Sequence, residues 1–155
     1  MKRVLGMKTI NILLIIFLFI GLGSGCAENP NNAMKDNGIT KVQNVSMDQS
    51  LSNKAKEKVT EMEDITEAKA VNADKELVLA VKIKQLRRFQ IKSIEKKVKT
   101  NLKKWFPNEK IEASTDLKIF LELGELEDKL QENDTNPKKL KKELQKIKNL
   151  MKEKT

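Results

Sequence analysis

The 155-residue chain has no histidine, no tyrosine and a single cysteine, and its aromatic side chains are limited to one tryptophan and five phenylalanines. Without histidine it lacks the commonest general base and the commonest metal ligand, so any chemistry must run on carboxylates or lysines. One cysteine forms no intramolecular disulfide and builds no cysteine-based metal site. Nothing in this composition calls for a cofactor or a metal. With few rings and a third of its residues charged, the chain has material for one modest domain with an aliphatic core, and too little for a large enzyme fold.

The lone cysteine, Cys26, follows a three-part leader. Lys2, Arg3 and Lys8 make a basic start, Ile10 to Ile20 is apolar apart from Asn11, and Gly21 to Gly25 is built of small residues and Leu22. That is the layout of a signal peptide over residues 1–25. A membrane span needs about 20 apolar residues, more than Lys8 and the glycines leave. Leu22-Gly23-Ser24-Gly25-Cys26 resembles the lipobox of bacterial lipoproteins, although Gly23 stands where a large aliphatic residue is usual. The expectation is an extracytoplasmic protein anchored through lipid on Cys26, with no spanning helix. Two acyl chains at ~0.8 kcal/mol per buried methylene hold such an anchor stably.

Cleavage removes three positive charges and no acids from a formal net charge of +9, leaving +6. Outside the cytoplasm a basic protein meets anionic lipid and wall polymers before nucleic acid, so no nucleic-acid partner is expected. Residues 26–47 are polar and rich in asparagine (Asn29, Asn31, Asn32, Asn37 and Asn44), and read as a disordered tether.

Residues 48–155 read as an α+β domain. Leu51, Ala55, Val59 and Met62 share one face of a first helix. A hairpin follows, turning at Asn72-Ala73-Asp74-Lys75, with Leu77, Leu79, Val81 and Ile83 on one face of its second strand and Val78 and Ala80 on the other. A second helix runs from about Arg88 to Trp105 on Ile91, Ile94, Val98 and Leu102, and Pro107 stops it. Ile111 and Ala113 mark a third strand. A third helix, capped by Thr115 or Asp116, carries Ile119, Leu123, Leu126 and Leu130, and a fourth begins at Asn136-Pro137 with Leu140, Leu144, Ile147 and Met151. The expected fold is a small α-β-β-α-β unit, a three-stranded sheet with helices on one face, followed by a C-terminal helical hairpin. The short leucine repeat of the last helix leaves self-association open, but too short to be strong alone.

Several of these pieces together resemble the YhcN/YlaJ family of sporulation lipoproteins from endospore-forming Gram-positive bacteria: Ala55, Val59, Met62 and Ile65; Leu79-Ala80-Val81-Lys82; Ile94 to Lys99 with Leu102; Phe106-Pro107; and Ser114-Thr115-Asp116. The resemblance covers about Leu51 to Leu130, with the leader and tether. It implies a membrane lipoprotein of the spore, made in the forespore and acting near the spore inner membrane in germination or outgrowth. It carries over no catalytic residue.

Among surface candidates, Arg88, Lys92, Lys96, Lys99 and Lys103 fall in one helical row, a ridge suited to anionic lipid, wall polymer or an acidic protein, against the plainer reading of a solvated helix face. Trp105 and Phe106 suit either an interfacial anchor or core filling. Ser114-Thr115-Asp116 lacks a base to activate a hydroxyl and reads as a helix cap. Glu122, Glu125, Glu127 and Asp128 spread over more than one helix face, so ion pairs with the lysines of helix four are expected rather than a metal site.

Overall fold

The computed structural model describes residues 39, 41–42 and 47–153, all within a compact unit spanning Lys35–Thr155, while Cys26 and the signal peptide lie outside the described residues. Helix α1 (Ser50–Thr60) leads into strands β1 (Ile65–Ala73) and β2 (Glu76–Ile83), and a 3-10 turn (Gln85–Gln90) precedes α2 (Ile91–Trp105). Strand β3 (Lys110–Ser114) and helices α3 (Leu117–Gln131) and α4 (Pro137–Glu153) complete the domain. The sheet order is β1-β2-β3, with β1 antiparallel and β3 parallel to β2.

Strand β2 is central, and its alternation builds two cores. Leu77, Leu79 and Val81 pack with Ala55 and Val59 of α1 and with Ile94, Val98 and Leu102 of α2. On the other side Val78 and Ala80 meet Ile119, Leu123 and Leu130 of α3 and Leu140, Leu144 and Ile147 of α4. The α+β order and the pairing of α2 with Leu79 and Val81 are as expected. The C-terminal hairpin, whose place the periodicity left open, covers the second face.

Local signals explain most boundaries. The Asp116 carboxylate accepts from the N–H groups of Lys118 and Ile119 at the start of α3. At its end Asn133 takes a left-handed conformation (φ 56°), with Asn133 N–H donating to Leu130 O and Asp134 N–H to Lys129 O. This is a Schellman cap. Asn136 accepts from Lys139 N–H at 3.0 Å and Pro137 opens α4.

Three boundaries differ from the sequence reading. The hairpin turn is only Asp74-Lys75, with Asp74 at φ 51°, because Asn72 is held in β1: its side-chain oxygen accepts the Ser52 N–H of α1, and the Gln49 side chain just before that helix accepts its N–H. Arg88 lies in the 3-10 turn, and α2 begins at Ile91. Val42 and Met47, assigned to the tether, are buried in the core of the α3–α4 face, and Val42 exchanges two backbone hydrogen bonds with the Asn53 side chain.

Side chains cap the outer edge of β1 at Ala70 and Asn72. Gln49 pairs with the Asn72 backbone, donating Nε2–H to its carbonyl at 2.9 Å and accepting its N–H at 3.1 Å. Ala70 N–H donates to Glu127 Oε1 at 3.0 Å. That same oxygen meets Lys56 Nζ at 2.7 Å, and both side chains are fully buried. Glu127 Oε2 faces Lys69 Nζ at 2.9 Å, an ionic contact without hydrogen-bond alignment. Glu127 therefore ties α3 to α1 and to the sheet, and does not pair across the helical hairpin. The α4 lysines Lys141 and Lys148 reach Asp74 and Glu76 at the strand turn instead, because α4 lies over that end of the sheet. Burial pushes the Lys56 ammonium below the ordinary lysine range, opposed by the attraction of Glu127.

Removing one partner of a buried pair leaves the other uncompensated. Glu127→Leu is expected to destabilise the domain by about 3–5 kcal/mol, and adding Lys56→Met to restore part of that loss, because the Lys56 charge is then no longer stranded while the Ala70 N–H stays without its acceptor. Urea midpoints of the two variants check this; equal losses in the single and double variants would contradict it.

Candidate functional site

Strand β3 is the other edge of the sheet. Lys110 N–H donates to Lys75 O at 2.8 Å, which sets the parallel ladder so that the backbone N–H and C=O groups of Lys110, Glu112 and Ser114 point to β2 and those of Ile111 and Ala113 point outward. Along that outer side runs a groove of about 860 Å³ between α2 and the start of α3, with Met151 and Lys152 of α4 also on its wall.

The apolar stripe of α2 (Ile94, Val98 and Leu102) points into the core, which leaves its lysines at the groove and in solvent. Of the five ridge residues, Lys92, Lys96 and Lys99 line the groove. Lys99 is neutralised there by Glu95 at 3.0 Å. Lys103 is exposed farther along α2, and Arg88, being in the 3-10 turn, is off the helical row. Lys97, on another face, pairs with Asp64 at 3.5 Å. Among the described residues Arg88, Lys92, Lys96 and Lys103 have no carboxylate within ion-pair distance.

Glu95 organises the middle of the groove. One carboxylate oxygen accepts from Lys99, and the other accepts from both the N–H and the hydroxyl of Thr115 at 3.0 Å, which closes one outward-facing backbone group of the β3 edge. Burial pushes the Glu95 carboxyl up, but these three donors outweigh it and hold the pKa below the ordinary carboxylate value of 4.5. A carboxylate so held stays ionised at neutral pH and neither offers nor readily takes a proton. Glu95 thus serves to hold Thr115 and Lys99 in place.

Ser114-Thr115-Asp116 forms the expected cap, the Ser114 hydroxyl accepting from Asp116 N–H at 3.1 Å. Trp105 and Phe106 pack partly buried against the α1–α2 core, and the Lys58 ammonium lies 5.2 Å from the Trp105 ring centre. Beyond the ridge, the sequence reading missed Leu86 and Phe89 in the 3-10 turn, 86% and 80% exposed. Their spacing of three was the available signal, since residues three apart eclipse on a 3-10 turn.

The low Glu95 pKa sets a pH dependence. A carboxylate whose folded pKa is depressed stabilises the fold above its unfolded value, and that contribution is lost as pH falls through the folded value. Glu95→Gln is expected to cost about 1–3 kcal/mol at pH 7 and progressively less below pH 4.5. Unfolding curves of both proteins from pH 7 to 3 measure it; a difference that does not change with pH would contradict the assignment.

Among the described residues no helix is long and apolar enough to cross a membrane. No curated protein and no solved structure matches the chain. The family model described as sporulation lipoprotein YhcN/YlaJ matches residues 25–152, from the residue before Cys26 almost to the end of α4. A lipoprotein family implies a lipid-anchored membrane protein, and the chain belongs to the YhcN/YlaJ family of sporulation lipoproteins.

Proposed function

We propose that the chain is a non-catalytic interaction module, held by lipid on Cys26 at the outer face of the spore inner membrane and acting in spore formation, germination or outgrowth. The observation that carries this reading is the α2 surface. Among the described residues Lys92, Lys96 and Lys103 stand in solvent without ion-pair partners, beside a groove lined by the carboxylates of Glu95, Glu112 and Asp116, of which Glu95 is committed to Lys99 and Thr115 and Asp116 to the cap of α3. Cations left unpaired on one face favour an anionic partner over internal stability, since exposed pairs would contribute little to stability in any case. The same observation favours a second reading, an envelope adaptor that binds anionic lipid or wall polymer through α2 in vegetative cells. The time of expression separates the two.

The anchor and the location are tested together by metabolic labelling with a fatty-acid analogue, comparing the natural chain with Cys26→Ala in vegetative cells and purified spores. Label that depends on Cys26 and fractionates with the spore inner membrane is the expected result, and label confined to vegetative membranes would end the spore role. The docking surface is tested in a chain without lipid, from residue 27 onward, by flotation with anionic vesicles. Charge reversal at Lys92, Lys96 and Lys103 is expected to weaken binding roughly 100-fold, at about 1 kcal/mol for each cation near the surface. Unchanged flotation would rule out α2 as the contact.

A further inference from the structure

The most solvent-exposed large apolar side chains described in the protein, Leu86 and Phe89, sit together in the 3-10 turn between β2 and α2. Three residues per turn place them one above the other on the same side. Neither serves the core, since the turn buries no residue at all. The turn is nevertheless firmly based: Arg87 N–H donates to Lys84 O, Lys84 N–H donates to Asp64 O at 2.9 Å, and the Arg87 guanidinium meets Asp64 at 3.3 Å. A turn built this way does not expose a leucine and a phenylalanine through looseness.

The apolar surface continues to Ile91, 39% exposed at the start of α2, and across the groove mouth to Leu117, 59% exposed at the start of α3. Lys84, Arg88 and Lys92 surround it, all exposed and, among the described residues, without ion pairs. We infer that the Gln85–Gln90 turn is a membrane-insertion tip, in which Leu86 and Phe89 enter the acyl boundary of an anionic bilayer while Lys84, Arg88 and Lys92 bind its head groups. An apolar tip ringed by cations matches the layering of such a surface: hydrocarbon below, negative charge at the level of the collar. A second copy of the chain fits less well, because apposed tips would bring the same three cations together.

The covalent chain permits this contact. The thirteen peptide steps from Cys26 to Ile39, the first described residue, reach at most about 45 Å when extended, against a radius of gyration of about 13 Å for a domain of this size. A lipid on Cys26 therefore lets any face of the domain meet the bilayer, and the tip determines which one does. The inference rests on the anchor proposed above.

The test uses the intact lipoprotein reconstituted into vesicles, with Phe89→Cys and, separately, Leu86→Cys carrying a nitroxide spin label. Glu132→Cys serves as control, being at the far end of α3 from Leu117, roughly 22 Å along the helix. Counting reactive thiols comes first: one per chain means Cys26 is blocked by lipid, and two means the anchor has failed independently of the tip. In vesicles containing phosphatidylglycerol, labels at 86 and 89 are expected to gain oxygen accessibility and lose accessibility to a water-soluble nickel chelate, while the label at 132 stays aqueous. In phosphatidylcholine vesicles all three are expected to stay aqueous. Labels at 86 and 89 that remain aqueous on anionic vesicles, or that immerse equally in both lipids, would overturn the inference. So would spin–spin broadening between tips, which would show that a second copy covers them.

Discussion

The fold depends on one buried carboxylate. Glu127 reaches from α3 to the edge of the sheet, where it accepts the Ala70 N–H, neutralises Lys56 of α1 and faces Lys69 of β1. The two cores lie on opposite faces of a three-stranded sheet and share little apolar surface with each other. Glu127 and the Gln49–Asn72 pairing join the elements of both faces around the β1 edge, and they take up the Ala70 N–H and both backbone groups of Asn72, which would otherwise be open to another strand. A buried charge cluster is weak evidence for stability as such, but mispairing any of these elements would strand an ionised group in the core.

With one edge closed and both faces covered, the surfaces left for interaction are the β3 edge, the α2 cations beside it and the apolar turn that precedes α2. These lie together at one side of the domain, as the shared groove lining of Ile91, Lys92, Thr115 and Leu117 shows. Glu95 closes the Thr115 end of that edge and quenches Lys99, so the charge presented outward comes from Lys92, Lys96 and, beyond the groove, Lys103. If this surface meets the bilayer as proposed, a lipid anchor in the same chain would turn a weak preference into an orienting one, because tethering raises the local concentration of the bilayer.

Much of this was legible in the sequence for a simple reason: β2 is buried on both faces, so its alternation reports two cores, and each helix carries one apolar stripe. The caps at Asp116 and Asn136-Pro137 were legible because their side chains act locally. Lys56 and Glu127 were not, since a charged residue among lysines and glutamates reads as solvated surface. Their positions did hold a signal. Lys56 is four after Ser52 and three before Val59, and Glu127 is four after Leu123 and three before Leu130, so both lie on the buried faces of their helices. The start of α2 was misplaced by three residues because Arg88 continues the lysine spacing of the helix, while the backbone there is a 3-10 turn. Val42 and Met47 were unreadable as core because two isolated apolar residues in a polar stretch show no period.

That side chains clamp the β1 edge at Ala70 and Asn72 while β3 is left open is tested most directly by native-state hydrogen exchange at single amides. Ala70 and Asn72, bonded to Glu127 and Gln49, are expected to exchange only through global unfolding, and Ile111, on the open edge of β3, to exchange without it. Exchange at Ala70 and Asn72 as fast as at Ile111 would mean that the β1 edge opens on its own and that the clamp described here does not hold the fold together.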